Sequence, residues 1–460
     1  MKRKFAGFVP LLAIAIALYA APAARAQHLA EYGTAAQQSR VRTSREASLL
    51  PLQATCNVNK NRELFITDLS VVEDCFRTTW TGTCAAPATP ATRGAWTFGK
   101  LMEGVFGTTD PVQLSNLTRQ FFGELSVAHT LNGDPVAPRP DADSLIVQSW
   151  LAVSGGTTLD MKKAPFQLNA IVARLDMRQN ANGSAAATGG ELHFVYQLIA
   201  DTHFPAQVFL IVEYNLDAAG CADMLTWANR FHALGGIAFG KSYSAALQGV
   251  TDLVTKINAS PGRLNGSALN QVRTNELTLG PGPWQLRQFK LKASTSGPAA
   301  LLETTVPQTP AHSLQGTAAI SNYINANAAS ILAGTNTVPN SFGGNPFLGG
   351  VAPNGLDLKW DGPTPACSAI VNKDARAAFS ANTCSGCHGV ETGTSLKQVL
   401  RRLPGMASDL SPFLKGVTLT DMCGISRTYG ELERRRVDLC QLLSSTCSQI
   451  DAEPRVNFAH

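Results

Sequence analysis

Long apolar runs are scarce in this chain of 460 residues. Residues 5–21 form the only stretch that approaches the roughly 20 residues needed to cross a bilayer. Charge is thin too: 15% of the residues are Asp, Glu, Lys or Arg, against about a quarter in an ordinary soluble domain. With 39 glycines and 25 prolines, this fits a loop-rich exported protein better than a highly charged cytosolic one. No Lys/Arg-rich stretch is long enough to serve as a phosphate-binding arm, which removes nucleic acid from the expected partners. There is no internal repeat, no heptad, no G-x-S-x-G elbow and no H-E-x-x-H helix. Serine-hydrolase and zincin chemistry therefore lack their usual frames.

What is present begins with an export signal. Lys2, Arg3 and Lys4 precede the apolar stretch, and Ala24-Arg25-Ala26 offers a signal peptidase its small-x-small pattern. Cleavage would remove Lys2, Arg3, Lys4 and Arg25 and no acid, leaving 34 basic against 33 acidic residues. The formal charge of +5 thus belongs largely to residues 1–26. The expected mature chain starts at Gln27, is periplasmic or secreted, and keeps no transmembrane anchor.

Ten cysteines in an oxidising compartment imply disulfides. Cys384 and Cys387 belong to a motif. Cys56, Cys75, Cys84, Cys221, Cys367, Cys423, Cys440 and Cys447 remain, an even number compatible with four bridges. A helix over 431–445 would separate Cys440 and Cys447 by about 10 Å along its axis, beyond the roughly 7 Å that a bridge tolerates between Cα atoms. Cys423 is then the expected partner of one of them.

Residues 27–92 read as an irregular, cysteine-containing segment. From 93 to 335 apolar residues recur three and four apart at 96–106, 114–129, 143–153, 222–234 and 242–257, which predicts helices. Strand-like runs occur at 166–177, 191–200, 207–215, 284–293 and 301–307. The order predicts an α+β domain with an antiparallel or mixed sheet. Gly, Pro and Asn crowd residues 336–365, a predicted linker. Residues 366–460 read as a small, mostly α module of its own, with helices at 374–381, 395–403 and 431–445.

Within that module stands Thr383-Cys384-Ser385-Gly386-Cys387-His388-Gly389. Cys-x-x-Cys-His is the attachment pattern of c-type haem. Two thiols on a tight turn reach the two vinyl groups on one porphyrin edge, and the next residue projects an imidazole toward the iron. Ser385 and Gly386 are small enough for close backbone approach. A thiol–disulfide redox pair would sit near a βαβ pattern. A structural zinc site would need two further ligands, with Cys423, Cys440 or His460 as candidates, and a chance match is the third competitor.

Residues 375–415 resemble the haem-attachment region of a monohaem c-type cytochrome domain, with a short helix over 375–379 ahead of the cysteines. The resemblance covers fewer than 100 residues. It implies one covalent haem c, with Cys384 and Cys387 as thioether donors and His388 as the proximal iron ligand. The rest of the chain resembles uncharacterised secreted bacterial proteins, which implies no function. Met406, on the Pro404-Gly405 loop, is the expected sixth ligand, with Met422, His460 or an open position as alternatives. One of Arg434, Arg435 and Arg436 could meet a haem propionate, though a solvated helix face is the plainer expectation.

Residues 235–242 formally satisfy G-x-x-x-x-G-K-[ST], but a helical pattern precedes them where the phosphate loop needs a strand. The expected function is single-electron transfer to an unknown redox partner protein. The rivals are a disulfide-stapled envelope protein without haem, and an oxidoreductase using the haem as electron acceptor.

Overall fold

The computed structural model describes residues 57–80, 84, 93–181, 187–199, 208–276, 279, 284–295, 297–353, 360–454 and 457, all within one compact unit, Ser39–His460. The expected export signal lies outside the described residues, as do Cys56 and His460. Among the described residues no helix is long and apolar enough to cross a membrane.

The core element is an eight-stranded sheet: β1 (Phe65–Ile66), β2 (Phe166–Arg174), β3 (Thr188–Leu198), β4 (Val208–Asp217), β5 (Leu269–Glu276), β6 (Gln285–Lys292), β7 (Ala300–Thr304) and β8 (Ala352–Pro353). The order runs β1-β2-β3-β4-β5-β6, with β7 and β8 both paired to β6. Every pairing is antiparallel. Together with its helices this is an α+β body.

Alternation along the strands produces two unlike faces. One carries Leu192, Phe194 and Tyr196 from β3, Leu210 and Val212 from β4, and Phe289 from β6, all buried. Helices α1 (Phe98–Phe106) and α2 (Pro111–Leu125) pack there. Phe98 lies 4.6 Å from Phe166 between ring centroids, and Phe121 meets Phe289 edge-on at 5.0 Å. Thr97 and Asp110 cap the two helices by accepting from Lys100 and Gln113 backbone N–H groups, as N-cap oxygens do. Two further helices, α3 (Cys221–Gly235) and α4 (Lys241–Thr255), complete this part of the molecule.

The opposite face carries Arg174, Glu191, His193, Gln197, Glu213, Gln271, Arg273 and Asn275, also buried. Buried polar groups must find partners, and the C-terminal segment supplies them. The Asn275 side-chain amide donates to the Leu396 carbonyl, the Asn169 amide to that of Leu400, and the Gln197 amide to that of Arg402. Residues 396–402 thereby cross β5, β4, β3 and β2 as an extended strap. This corrects the helix expected over 395–403, whose carbonyls are spent on sheet amides instead of on one another.

Helix α5 (Ala318–Ala326) leads to α6 (Lys373–Ala381) and α7 (Cys384–Cys387); the long helix α8 (Glu431–Ser444) follows the strap, and the short α9 (Cys447–Asp451) comes last. Arg178 donates to Asp438 at 2.6 Å, and Arg434 pairs with Asp176 at the same distance. Val399, Leu414, Leu439 and Leu442 share the hydrophobic core of the sheet. The segment expected as a module of its own is therefore packed into the same unit.

Residues 336–353 and Trp360, within the expected linker, also pack. Val338, Phe347, Leu348 and Trp360 form a second core with Ile320, Tyr323 and Phe379.

The bridges are Cys75–Cys84, Cys221–Cys447 and Cys367–Cys423, and Cys440 is disulfide-bonded as well. Cys423 is thus the partner of Cys367, not of Cys440 or Cys447 as expected. The cause is α9, which begins at Cys447 and lies beside α3, where Cys221 starts the helix.

Candidate functional site

Asn372 accepts from the backbone N–H groups of Asp374 and Ala375 and starts α6. The helix ends at Asn382, and one residue on Thr383 caps α7 by accepting from Gly386 N–H. The Thr383 hydroxyl donates to the Ser380 carbonyl and accepts from the Trp360 indole at 2.8 Å. These contacts set the cysteine turn against the preceding helix. Gly386 is required there, since a Cβ on it would stand 2.0 Å from the Ser380 carbonyl oxygen. Its small size serves helix-to-helix approach. The neighbouring Ser385 hydroxyl is buried without a hydrogen-bond partner.

Cys384, Cys387 and His388 are all buried. Cys384 packs with Trp284, Leu286, Val306 and Ala352, and its backbone N–H donates to the Thr309 hydroxyl. Cys387 belongs to the main core, where the Gln398 amide lies 3.2 Å from its sulfur. Neither is in a disulfide, whereas the other described cysteines are bridged. Burial pushes the Cys387 thiol up to about 12 and raises that of Cys384. Neither is a thiolate at neutral pH, which speaks against a thiol-exchange pair, whose attacking sulfur must be deprotonated.

His388 stacks on Trp284 with 5.1 Å between centroids and 28° between planes. Its Nδ1 lies 2.9 Å from the Leu396 carbonyl oxygen. A carbonyl only accepts, so Nδ1 carries the proton and Nε2 holds the lone pair. Burial lowers the imidazole to about 4, so the ring is neutral at pH 7. A neutral imidazole tethered at Nδ1 to a backbone carbonyl is the form in which histidine ligates a metal. The donor set, two protonated thiols and one oriented imidazole on a single turn, fits covalent haem.

The structure does not bring Met406 to His388. Met406 is 59% exposed and follows Arg402 and Gly405, which bond to Val72 and Glu73 beside β1. His388 is anchored to Leu396 at the other end of the strap, three strand spacings away, or about 14 Å. Met406 as sixth ligand therefore stays an expectation that this arrangement does not support.

Met422 lies closer in the fold. Its backbone N–H donates to Glu391, three residues beyond His388. The arginines expected near a propionate are committed elsewhere: Arg434 to Asp176 and Glu431, Arg435 to Glu431, Arg436 to Glu433. They are paired, not a solvated face.

Among the scattered histidines, His193 lies on β3 against Glu191, with Glu213 of β4 directly opposite. The sequence reading passed over this group. Its signal is faint: a charged residue in each of two otherwise apolar strands. The phosphate-loop match at 235–242 follows a helix, α3, and so lacks its strand. No protein family, curated protein or solved structure matches this chain.

Proposed function

We propose that this chain is an exported haem c protein, with the haem attached at Cys384 and Cys387 and ligated by His388, serving single-electron transfer. The observation that carries the reading is the cysteine turn itself. Its two thiols stay protonated and unbridged among disulfides, and the adjacent imidazole presents Nε2 because Leu396 holds Nδ1. Cys384 and Cys387 would hold the haem as thioethers, each sulfur bonded to one vinyl carbon and its hydrogen to the other, with no leaving group. The haem, when bound, supplies one-electron chemistry. The residues of this chain orient the proximal nitrogen, exclude water and fix the turn against α6. Met406, Met422 and His460 are the residues that could supply a sixth ligand, and Met422 is the one hydrogen-bonded to Glu391 beside the turn.

The test is mass and colour. Protein exported by a host with haem-attachment machinery should gain the mass of one haem and show a sharp reduced α-band in pyridine. Replacing Cys384 and Cys387 together by Ala should abolish both. Colourless wild-type protein of unmodified mass would end this reading and leave a disulfide-stapled envelope protein, which the burial of both thiols would then explain as core packing.

A further inference from the structure

The polar face of the sheet contains a second donor set that electron transfer does not use. Glu191 and His193 project from β3 on the same side, and Glu213 on β4 is the register partner of His193. One ligand atom from each lies within 4.8 Å of the other two. All three are buried, at 6%, 7% and 1% exposure.

The carboxylates are oriented from behind. The Asn270 amide donates to Glu191 Oε1 and the Gln271 amide to Glu213 Oε2. Glu191 Oε2 is thereby turned to His193 Nε2, at 2.7 Å. Burial alone would raise the Glu191 carboxyl, yet the His193 hydrogen bond and the charges of His193, Arg273 and Arg174 hold it below its ordinary value. Amides that fix the outer oxygen of each carboxylate form the supporting shell typical of metal sites.

We propose that Glu191, His193 and Glu213 bind a divalent transition-metal ion, in the position now taken by the hydrogen between His193 and Glu191. Two carboxylates and one imidazole suit Mn²⁺, Fe²⁺ or Zn²⁺ and leave coordination positions open. Ligation through Nε2 uses the neutral tautomer with its proton on Nδ1. Arg273, 3.6 Å from Glu213 Oε1, is the positive charge the ion would displace. An entry path exists. A cavity of about 840 Å³, lined in part by Thr188, Asn215, Asp217 and Arg263, reaches Glu191 and Asn270.

The test uses the full chain, stripped with chelator and titrated with Mn²⁺, Zn²⁺ and Co²⁺. Wild type should take up one equivalent of metal, and Cys384→Ser/Cys387→Ser should take up the same. Glu213→Gln and His193→Asn, each checked for folding by near-UV circular dichroism, should lose it. Asn270→Ala should bind about tenfold more weakly. If one variant fails to fold, Glu191→Gln replaces it. The proposal is overturned if folded wild type binds no equivalent, if the Glu213 and His193 variants bind like wild type, or if the cobalt form shows a thiolate charge-transfer band, which would place the ion on Cys384 and Cys387.

Discussion

The two faces of the sheet solve burial in opposite ways. The helix-covered face buries Phe194, Tyr196, Leu210 and Phe289 against Phe98 and Phe121, where contact is non-directional and shapes are interchangeable within limits. The strap-covered face buries Arg174, Glu191, His193, Glu213 and Arg273, where every group demands a named partner. Apolar packing holds the fold together. The polar face decides which segment can lie on it, and it carries both candidate sites.

The sharpest way to break this contrast is Asp176→Ala. It strands Arg174 and takes from Arg434 one of its partners, leaving the Glu431 pair, and removing one partner of a buried pair costs about 3–5 kcal/mol. Phe194→Leu on the other face should cost only about 1–2 kcal/mol. Chemical unfolding of both variants measures the difference, and equal losses would refute it.

Next in size is Gly386→Ala. The added methyl meets the Ser380 carbonyl, and overpacking of that kind costs about 1–3 kcal/mol. Haem loading measured by absorbance should fall with it.

A pH effect comes third, from the charged end of the helix-covered face. Burial raises the Glu303 carboxyl to about 7, against the opposing charges of Arg287 and His129. The folded state therefore holds a proton that the unfolded chain releases above 4.5. Its stabilising contribution is complete below that value and is lost as pH rises through 7. Glu303→Gln should flatten this slope in thermal melts taken between those limits.

The smallest expected effect is Met406→Leu. With that side chain exposed and remote from His388, the spectrum and midpoint potential of the haem form should not move. A shift in either would restore Met406 as a ligand.

How much could be read beforehand follows the same division. Segments whose faces are apolar were legible: β4, with its Val-Phe-Leu-Ile-Val run, and α1 both lie within two residues of their expected bounds. β5 was not, because Gln271, Arg273 and Asn275 fill the positions where a half-buried strand would show apolar residues. The strap was misread for a related reason. Val399, Leu400 and Leu403 have helical spacing, but a helix would take from the Asn275, Asn169 and Gln197 amides the carbonyls of Leu396, Leu400 and Arg402. Polar satisfaction at long range outweighed local propensity. The cysteine motif was legible as a pattern, while the tether from His388 to Leu396 depends on where the strap runs.

The Cys221–Cys447 bridge spans 226 residues, and this governs how the protein can mature. A chain entering the oxidising compartment amino end first presents Cys75 and Cys84, nine residues apart, almost together. Cys221 must wait until nearly the whole polypeptide has emerged. Through that interval its thiol is open to exchange with any earlier sulfur, including those of Cys384 and Cys387, which arrive before Cys447. Under the proposed export and haem attachment, faithful maturation would call for an isomerase, or for attachment that retires Cys384 and Cys387 from the pool before Cys447 appears.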